Sequence, residues 1–270
     1  MTQDASAQAQ GMARRAAGDS KLHAAARVGF VVSGLMHLLI GWIALQVAFG
    51  GNGKQADQSG ALGELASNSG GRALLWVGVA GFLGLTAWHL VDAFLDRPGQ
   101  SNEEKLNKAK SLAKGLVYAA LAVTTFQYAS GGGGSSSSRQ SQDFTASLLR
   151  APGGRVLVIV LGVIVLAVGG YHVVKGAKKR FRADLAETPP RMVERLAMAG
   201  YIAKGVALAV VGLLFVVAGL HKDAAKASGL DGALKALRDQ PFGTPLLGVV
   251  ALGLMAYGLY SFARAKYARL

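Results

Sequence analysis

The chain has no cysteine among its 270 residues, which excludes disulfides, thiolate metal centres and cysteine nucleophiles. Charge is scarce: Asp, Glu, Lys and Arg together make up 16%, against about 25% in ordinary soluble domains. Proline is scarce too. Pro98, Pro152, Pro189, Pro190 and Pro241 fall between apolar runs, and Pro245 suits a first helical turn. No proline therefore interrupts the centre of a long hydrophobic stretch. Acid is the scarcest class, with 15 acidic residues against 29 basic ones and a net charge of +14. In a soluble protein that balance would suggest nucleic acid. Here the cations lie in the connections between apolar blocks, a pattern that fits orientation in a membrane and excludes a nucleic-acid partner.

What is present is hydrophobic: 51% of residues, with a mean hydropathy of +0.34. The apolar residues gather in blocks that approach the roughly 20 residues needed to cross about 30 Å of hydrocarbon. Six spans are predicted, over 28–49, 72–95, 108–129, 154–176, 195–219 and 243–264. Counting lysine and arginine in the connections puts 18 on the side of the termini and nine on the other, with Lys114 and Lys204 inside spans. That bias predicts a multi-pass membrane protein with cytoplasmic termini and anionic lipid at its cytoplasmic face. The first block is too long for the h-region of a signal peptide, and later segments copy it.

The chain repeats itself. Aligning Gly29 with Gly200 and Gly34 with Gly205 places small residues every seven positions in each odd-numbered span. They are Gly34, Gly41 and Ala48; Gly115, Ala122 and Ala129; and Gly205, Gly212 and Gly219. Lipid supplies little hydrophobic drive between helices, so small residues that let backbones approach hold such bundles together. A seven-residue period keeps the stripe on one face of a left-handed crossing. The even spans open alike, at Gly71-Arg72, Gly154-Arg155 and Gly243-Thr244. Before each lies a short amphipathic stretch, 60–65, 144–149 and 232–237, which predicts a brief helix on the outer surface. Gly131 to Gly134 and Ser135 to Ser138 read as a flexible linker. The expected architecture is all-α and integral to the membrane: three parallel two-helix repeats in a pseudo-three-fold bundle. The expected divisions are a disordered cytoplasmic arm over 1–22 and repeats over 23–97, 98–182 and 183–270.

The triplicated pair, the openings Lys114-Gly115 and Lys204-Gly205, and the ending Gly258 to Ser261 resemble the bacterial membrane family known as domain of unknown function twelve-oh-six. The resemblance covers roughly residues 20 to 268 and implies a six-helix inner-membrane protein. It carries no activity or functional residue to this chain. Ser33 departs from the pattern, standing where the other two repeats have lysine.

Ionisable residues inside spans are costly and mark candidate sites. Ser33, His37, His89, Asp92, Lys114, Tyr118, His172, Lys175 and Lys204 are expected to form one polar layer in the inner half of the bundle. Asp92 is the one acid expected near it, pairing with Lys114, Lys204 or Lys175. No catalytic motif, cofactor set or metal set accompanies these residues, so the expectation is a non-enzyme. It would be a scaffold or accessory protein that contacts lipid and a membrane-protein partner, its glycine stripe (Gly34, Gly41, Gly115, Gly205, Gly212, Gly219) packed shut. A small-solute transporter using the polar layer is the alternative. A haem-binding subunit with His37 and His89 as axial ligands is a second.

Overall fold

The computed structural model describes residues 20–51, 55–94 and 102–268. The expected arm over 1–22 lies almost wholly outside them. Nine helices follow in order among the described residues: α1 (Ser20–Ala48), α2 (Gln58–Ala66), α3 (Ser69–Phe94), α4 (Asn102–Ala129), α5 (Ser137–Arg150), α6 (Gly154–Ala177), α7 (Arg191–His221), α8 (Gly229–Arg238) and α9 (Gly243–Tyr267). Short 3-10 turns at Arg180–Asp184 and Ala224–Lys226 flank α7. Among the described residues, the sole β contact is an isolated antiparallel bridge between Leu185 and Ala268.

Five helical segments are long and apolar enough to cross a membrane: Arg27–Ala48, Ser69–Leu90, Gly154–Ala177, Arg191–His221 and Gly243–Tyr267. Their backbones are hydrogen-bonded within each segment, as a hydrocarbon environment requires. Their large apolar side chains also point outward, with Val77 60%, Val163 51% and Val249 69% exposed. These features mark a membrane protein. The expected third span, 108–129, is helical throughout as part of α4 but falls outside that set. Lys108, Lys110, Ser111, Lys114, Thr124, Thr125 and Gln127 dilute its apolar content. The Thr124 hydroxyl donates to Ala120 O at 2.9 Å, satisfying itself on its own helix.

The three short amphipathic helices are present as α2, α5 and α8. The second begins earlier than its apolar residues suggest. Ser136 accepts a hydrogen bond from Arg139 N at 3.1 Å and caps α5, so Ser137 and Ser138 belong to a helix and not to a linker. The recurring glycine at the opening of each even span has a steric cause. A Cβ would stand 2.1 Å from Leu65 O at Gly71, 1.7 Å from Leu148 O at Gly154 and 1.7 Å from Arg238 O at Gly243. The chain turns from short helix to long helix so tightly that only hydrogen fits there.

The described chain divides into two compact units. One contains α3 and α4. Leu75, Val79 and Ala122 are buried in it, and Trp76 meets Phe126 edge-on at 5.6 Å. The other contains α1 from Gly29, α2, and α5 to α9. Its main core joins Ile43, Ala44, Val47 and Ala61 to Leu234, Leu247, Val250 and Ala251, so short and long helices share one interior.

Glycine seams join long helices of different repeats, while α7 and α9 pack on each other within one repeat, a Cβ at Gly200 lying 2.5 Å from Tyr257 Cα. Gly205 and Gly212 of α7 rest on Gly169 and Gly162 of α6. A Cβ at Gly205 would be 2.7 Å from Gly169 O, and one at Gly212 would be 2.7 Å from Gly162 O. In the same way α1 rests on α9. A Cβ at Gly34 would be 2.9 Å from Gly258 O, and one at Gly41 would be 2.8 Å from Ala251 O. The α3–α4 contact is looser, with His89 Cβ at 3.5 Å from a Cβ at Gly115. All nine positions of the small-residue stripe are buried.

Candidate functional site

The residues expected to form one polar layer divide between the two units. In the larger unit, α1, α7 and α9 bring His37, Lys204 and Tyr257 together. His37 Nδ1 lies 2.7 Å from Ser33 O, so this nitrogen carries the proton and donates to the carbonyl one turn back. Its ring centroid is 4.6 Å from that of Tyr257. The Lys204 ammonium lies 4.3 Å from the same tyrosine ring, a cation–π distance. No carboxylate pairs with Lys204 among the described residues.

An aromatic cluster continues from Tyr257. Tyr201 is 5.3 Å from Tyr257 and 5.7 Å from both Phe181 and Tyr260, and all four rings are buried. His172 approaches Tyr201 at 5.9 Å, while its Nδ1 lies 2.8 Å from Val168 O. Lys175 stands 5.3 Å from the Tyr201 ring and forms an ion pair with Asp184 at 2.7 Å. This pair corrects the expectation that Asp92 is the one acid near the layer. The partner of Lys175 comes from the 3-10 turn after α6. Loop sequence placed it outside the spans, so no depth count along a helix could reach it. The Asp92 side chain lies outside the described residues.

In the smaller unit, His89 stacks on Tyr118 almost in parallel, at 5.4 Å and 3°. Lys114, one turn before Tyr118, is exposed. Each of the three histidines thus sits against an aromatic ring, and two also engage a carbonyl of their own helix. Among the described residues no three His, Cys, Asp or Glu side chains gather as a metal-ion group.

Two polar groups were not singled out from sequence. The first joins the beginnings of α2, α5 and α8. Asp57 Oδ1 accepts from Gly60 N at 3.1 Å and from the Ser59 hydroxyl, capping α2. Ser59 Oγ accepts from Ser137 N at 3.1 Å, and Ser138 Oγ donates to Ser228 O at 2.7 Å. Asp231 accepts from Ala56 N at 2.9 Å and from Lys235 Nζ at 2.6 Å. Asp57 is 1% exposed, and its Oδ2 has no hydrogen-bond partner. Burial, helped by the nearby Asp231 charge, pushes its carboxyl above the usual carboxylate range, against the opposing hydrogen bonds from Ser59 and Gly60. An aspartate three residues before Gly60-Ala61-Leu62 was the available signal.

The second group is a cleft of about 550 Å³ at the start of α7, lined by Lys179, Arg182, Thr188, Pro189, Arg191, Glu194, Arg195 and Met198. Glu194 pairs with Lys179 at 2.6 Å and with Arg182. The loop that carries it is anchored. Phe181 is fully buried, and Ala186 N donates to Tyr267 O at 2.8 Å, tying it to the end of α9.

Comparison with known proteins agrees with the threefold pattern. The "Uncharacterized protein YxxB" of Bacillus subtilis (strain 168) is 27% identical over 232 residues, covering 83% of this chain and 83% of its own length. No solved structure matches the chain. The model of the family described as Domain of Unknown Function (DUF1206) matches residues 28–96, 109–179 and 199–268, each match taking in one odd and one even long helix. Three copies of that domain in one polypeptide make the chain a member of the DUF1206 family.

Proposed function

We propose that this chain is a six-span protein of the bacterial cytoplasmic membrane, with both termini inside. In this reading it acts without catalysis, as a scaffold or accessory protein that engages anionic lipid and a membrane-protein partner. The observation that carries the reading is the closure of the seams: Gly34 on Gly258, Gly205 on Gly169 and Gly212 on Gly162 leave no room for a methyl group between backbones. Helices joined in this way build a rigid platform, whereas solute passage calls for discontinuous or kinked spans. The long helices here are unbroken.

Two further features support the finer architecture. α4 is the sequence counterpart of α1 and α7, and it turns Leu116, Val117, Val123 and Phe126 outward as a lipid-facing helix would. The contacts of α3 with α4, α6 with α7 and α9 with α1 each join the second long helix of one repeat to the first long helix of another, while α7 and α9 also pack within the third repeat. A pseudo-three-fold ring of hairpins accounts for the three pairings between repeats.

Extraction of the full chain in mild detergent, followed by lipid and protein mass spectrometry, tests the function. Co-purification of anionic lipid and of a defined membrane protein is expected. A second reading, passage of a small solute, draws on Lys204, which lies inside a span without a carboxylate partner among the described residues. Solute flux into liposomes that is lost on Lys204→Met or His37→Ala would replace the scaffold reading with that one.

A further inference from the structure

We propose that the cleft at the start of α7 holds the phosphate headgroup of an anionic phospholipid. The inference rests on the membrane reading above, which puts this loop on the cytoplasmic side, and it assigns the lipid contact to particular residues.

The first support is charge left over after internal pairing. Residues 175–195 contain seven lysines and arginines against Asp184, Glu187 and Glu194. Lys175 is taken by Asp184, and the single carboxylate of Glu194 serves both Lys179 and Arg182. Arg191 and Arg195 reach the same cleft with no carboxylate partner among the described residues. The lining is therefore strongly positive, and two of its cations are held in place by Glu194. Arginine forks suit the tetrahedral oxygens of a phosphate, and a positioned fork loses less freedom on binding.

The second support is position. α7 has 31 residues, which at about 1.5 Å each extend about 46 Å, well beyond about 30 Å of hydrocarbon. Its first turns, with Arg191 and Arg195, thus emerge at headgroup level. Met192 is 67% exposed, and Met198 lines the cleft. Apolar side chains beside a cationic cleft fit a ligand with a charged head and an acyl tail. A volume of about 550 Å³ falls within the range of small-molecule sites, roughly 300–1,000 Å³. The buried Phe181 and the bond from Ala186 N to Tyr267 O anchor the loop that brings Lys179 and Arg182 to the cleft.

The test uses the purified full chain and native mass spectrometry with phosphatidylglycerol and phosphatidylcholine as probes. Arg191→Gln/Arg195→Gln is compared with Arg139→Gln/Arg155→Gln, which removes equal charge from exposed positions at the starts of α5 and α6. Thermal midpoints in phosphatidylcholine serve as the folding control. Wild type should retain phosphatidylglycerol preferentially, the α7 pair should weaken that retention about tenfold, and the control pair should not. Inorganic phosphate at matched concentration should fail to displace the lipid. Equal retention by both pairs overturns the cleft while leaving the lipid-engaging reading intact. Displacement by inorganic phosphate overturns the assignment to a lipid. A wild type without preference for phosphatidylglycerol sinks the broader reading along with it.

Discussion

Gly169 and Gly170 are adjacent on α6, and only one of them faces the seam. A Cβ at Gly169 would lie 2.6 Å from Ala209 N and 2.7 Å from Gly205 O, whereas one at Gly170 would meet nothing within 4 Å. Ordinary contact begins at 3.4 Å, so Gly169→Ala falls short by 0.8 Å against backbone atoms that cannot swing aside. The helices must separate, and the crossing at Gly162 and Gly212 loosens with them. Overpacking of this kind costs about 1–3 kcal/mol, while alanine returns at most about 1 kcal/mol of helix preference. Gly170→Ala collects the second effect without the first. The expected result is a clear fall in the thermal midpoint of the detergent-solubilised chain for Gly169→Ala, and an unchanged or higher midpoint for Gly170→Ala. Both substitutions add one methyl to the same turn, on the exposed face at Gly170 and in the seam at Gly169, so their difference reads the seam contact. Equal behaviour of the two variants would refute the claim that the α6–α7 seam is closed by backbone contact.

The same reasoning orders the odd helices. Gly212→Ala, whose Cβ would sit 2.4 Å from Leu166 N, should destabilise by about 1–3 kcal/mol, and Gly115→Ala, with 3.5 Å available, should be nearly neutral in the same assay. At the junction of the short helices, the raised carboxyl of Asp57 gives a stabilising contribution that is full below the unfolded value of 3.8 and fades as pH rises through the folded value. The Asp57 contribution should therefore shrink as pH rises above about 4. Asp57→Asn, which keeps an acceptor for Gly60 N, should flatten that slope and match or exceed wild type at neutral pH; a less stable variant there would contradict the cost assigned to burial. Asp184→Asn leaves Lys175 charged beside Tyr201 and should cost about 1–2 kcal/mol, the pair being partly screened. Lys175→Met combined with Asp184→Leu should recover most of the loss, since the double change removes both charges together.

Much of this architecture is legible in the sequence because bilayers impose coarse rules. Apolar runs without proline become long helices, and small residues at a fixed period mark where two of them touch. The partners of those glycines were harder to read. Gly162, Gly169 and Gly258 sit on even helices that carry other glycines, such as Gly170, with no contact at all. Separating them requires knowing which neighbour lies opposite. The Gly/Ser run concealed the start of α5 for a related reason: glycine and serine suggest flexibility by composition, but a serine cap and a bond to Ser228 O fix the chain there.

The residues of the expected polar layer divide between the two units, and depth along a helix does not tell which aromatic ring each one meets. His37 and His89 lie at similar expected depth, yet the first packs on Tyr257 within α1, α7 and α9, and the second on Tyr118 between α3 and α4. Sequence divergence among the repeats follows this division. Where α6 meets α7, glycine faces glycine; where α3 meets α4, Val79 and Ala122 stand at the aligned positions, and a Cβ at Gly115 would meet only side chains, the nearest at 3.5 Å. Tight seams restrict what can be substituted, so the freedom to vary falls on the loose pair and on the loops. The loop between α6 and α7 carries the acid that neutralises Lys175 and the phenylalanine that closes the tyrosine cluster, and the first turns of α7 carry arginines with no carboxylate partner among the described residues. Three copies of one hairpin supply the frame, and unequal loops give its ends different chemistry.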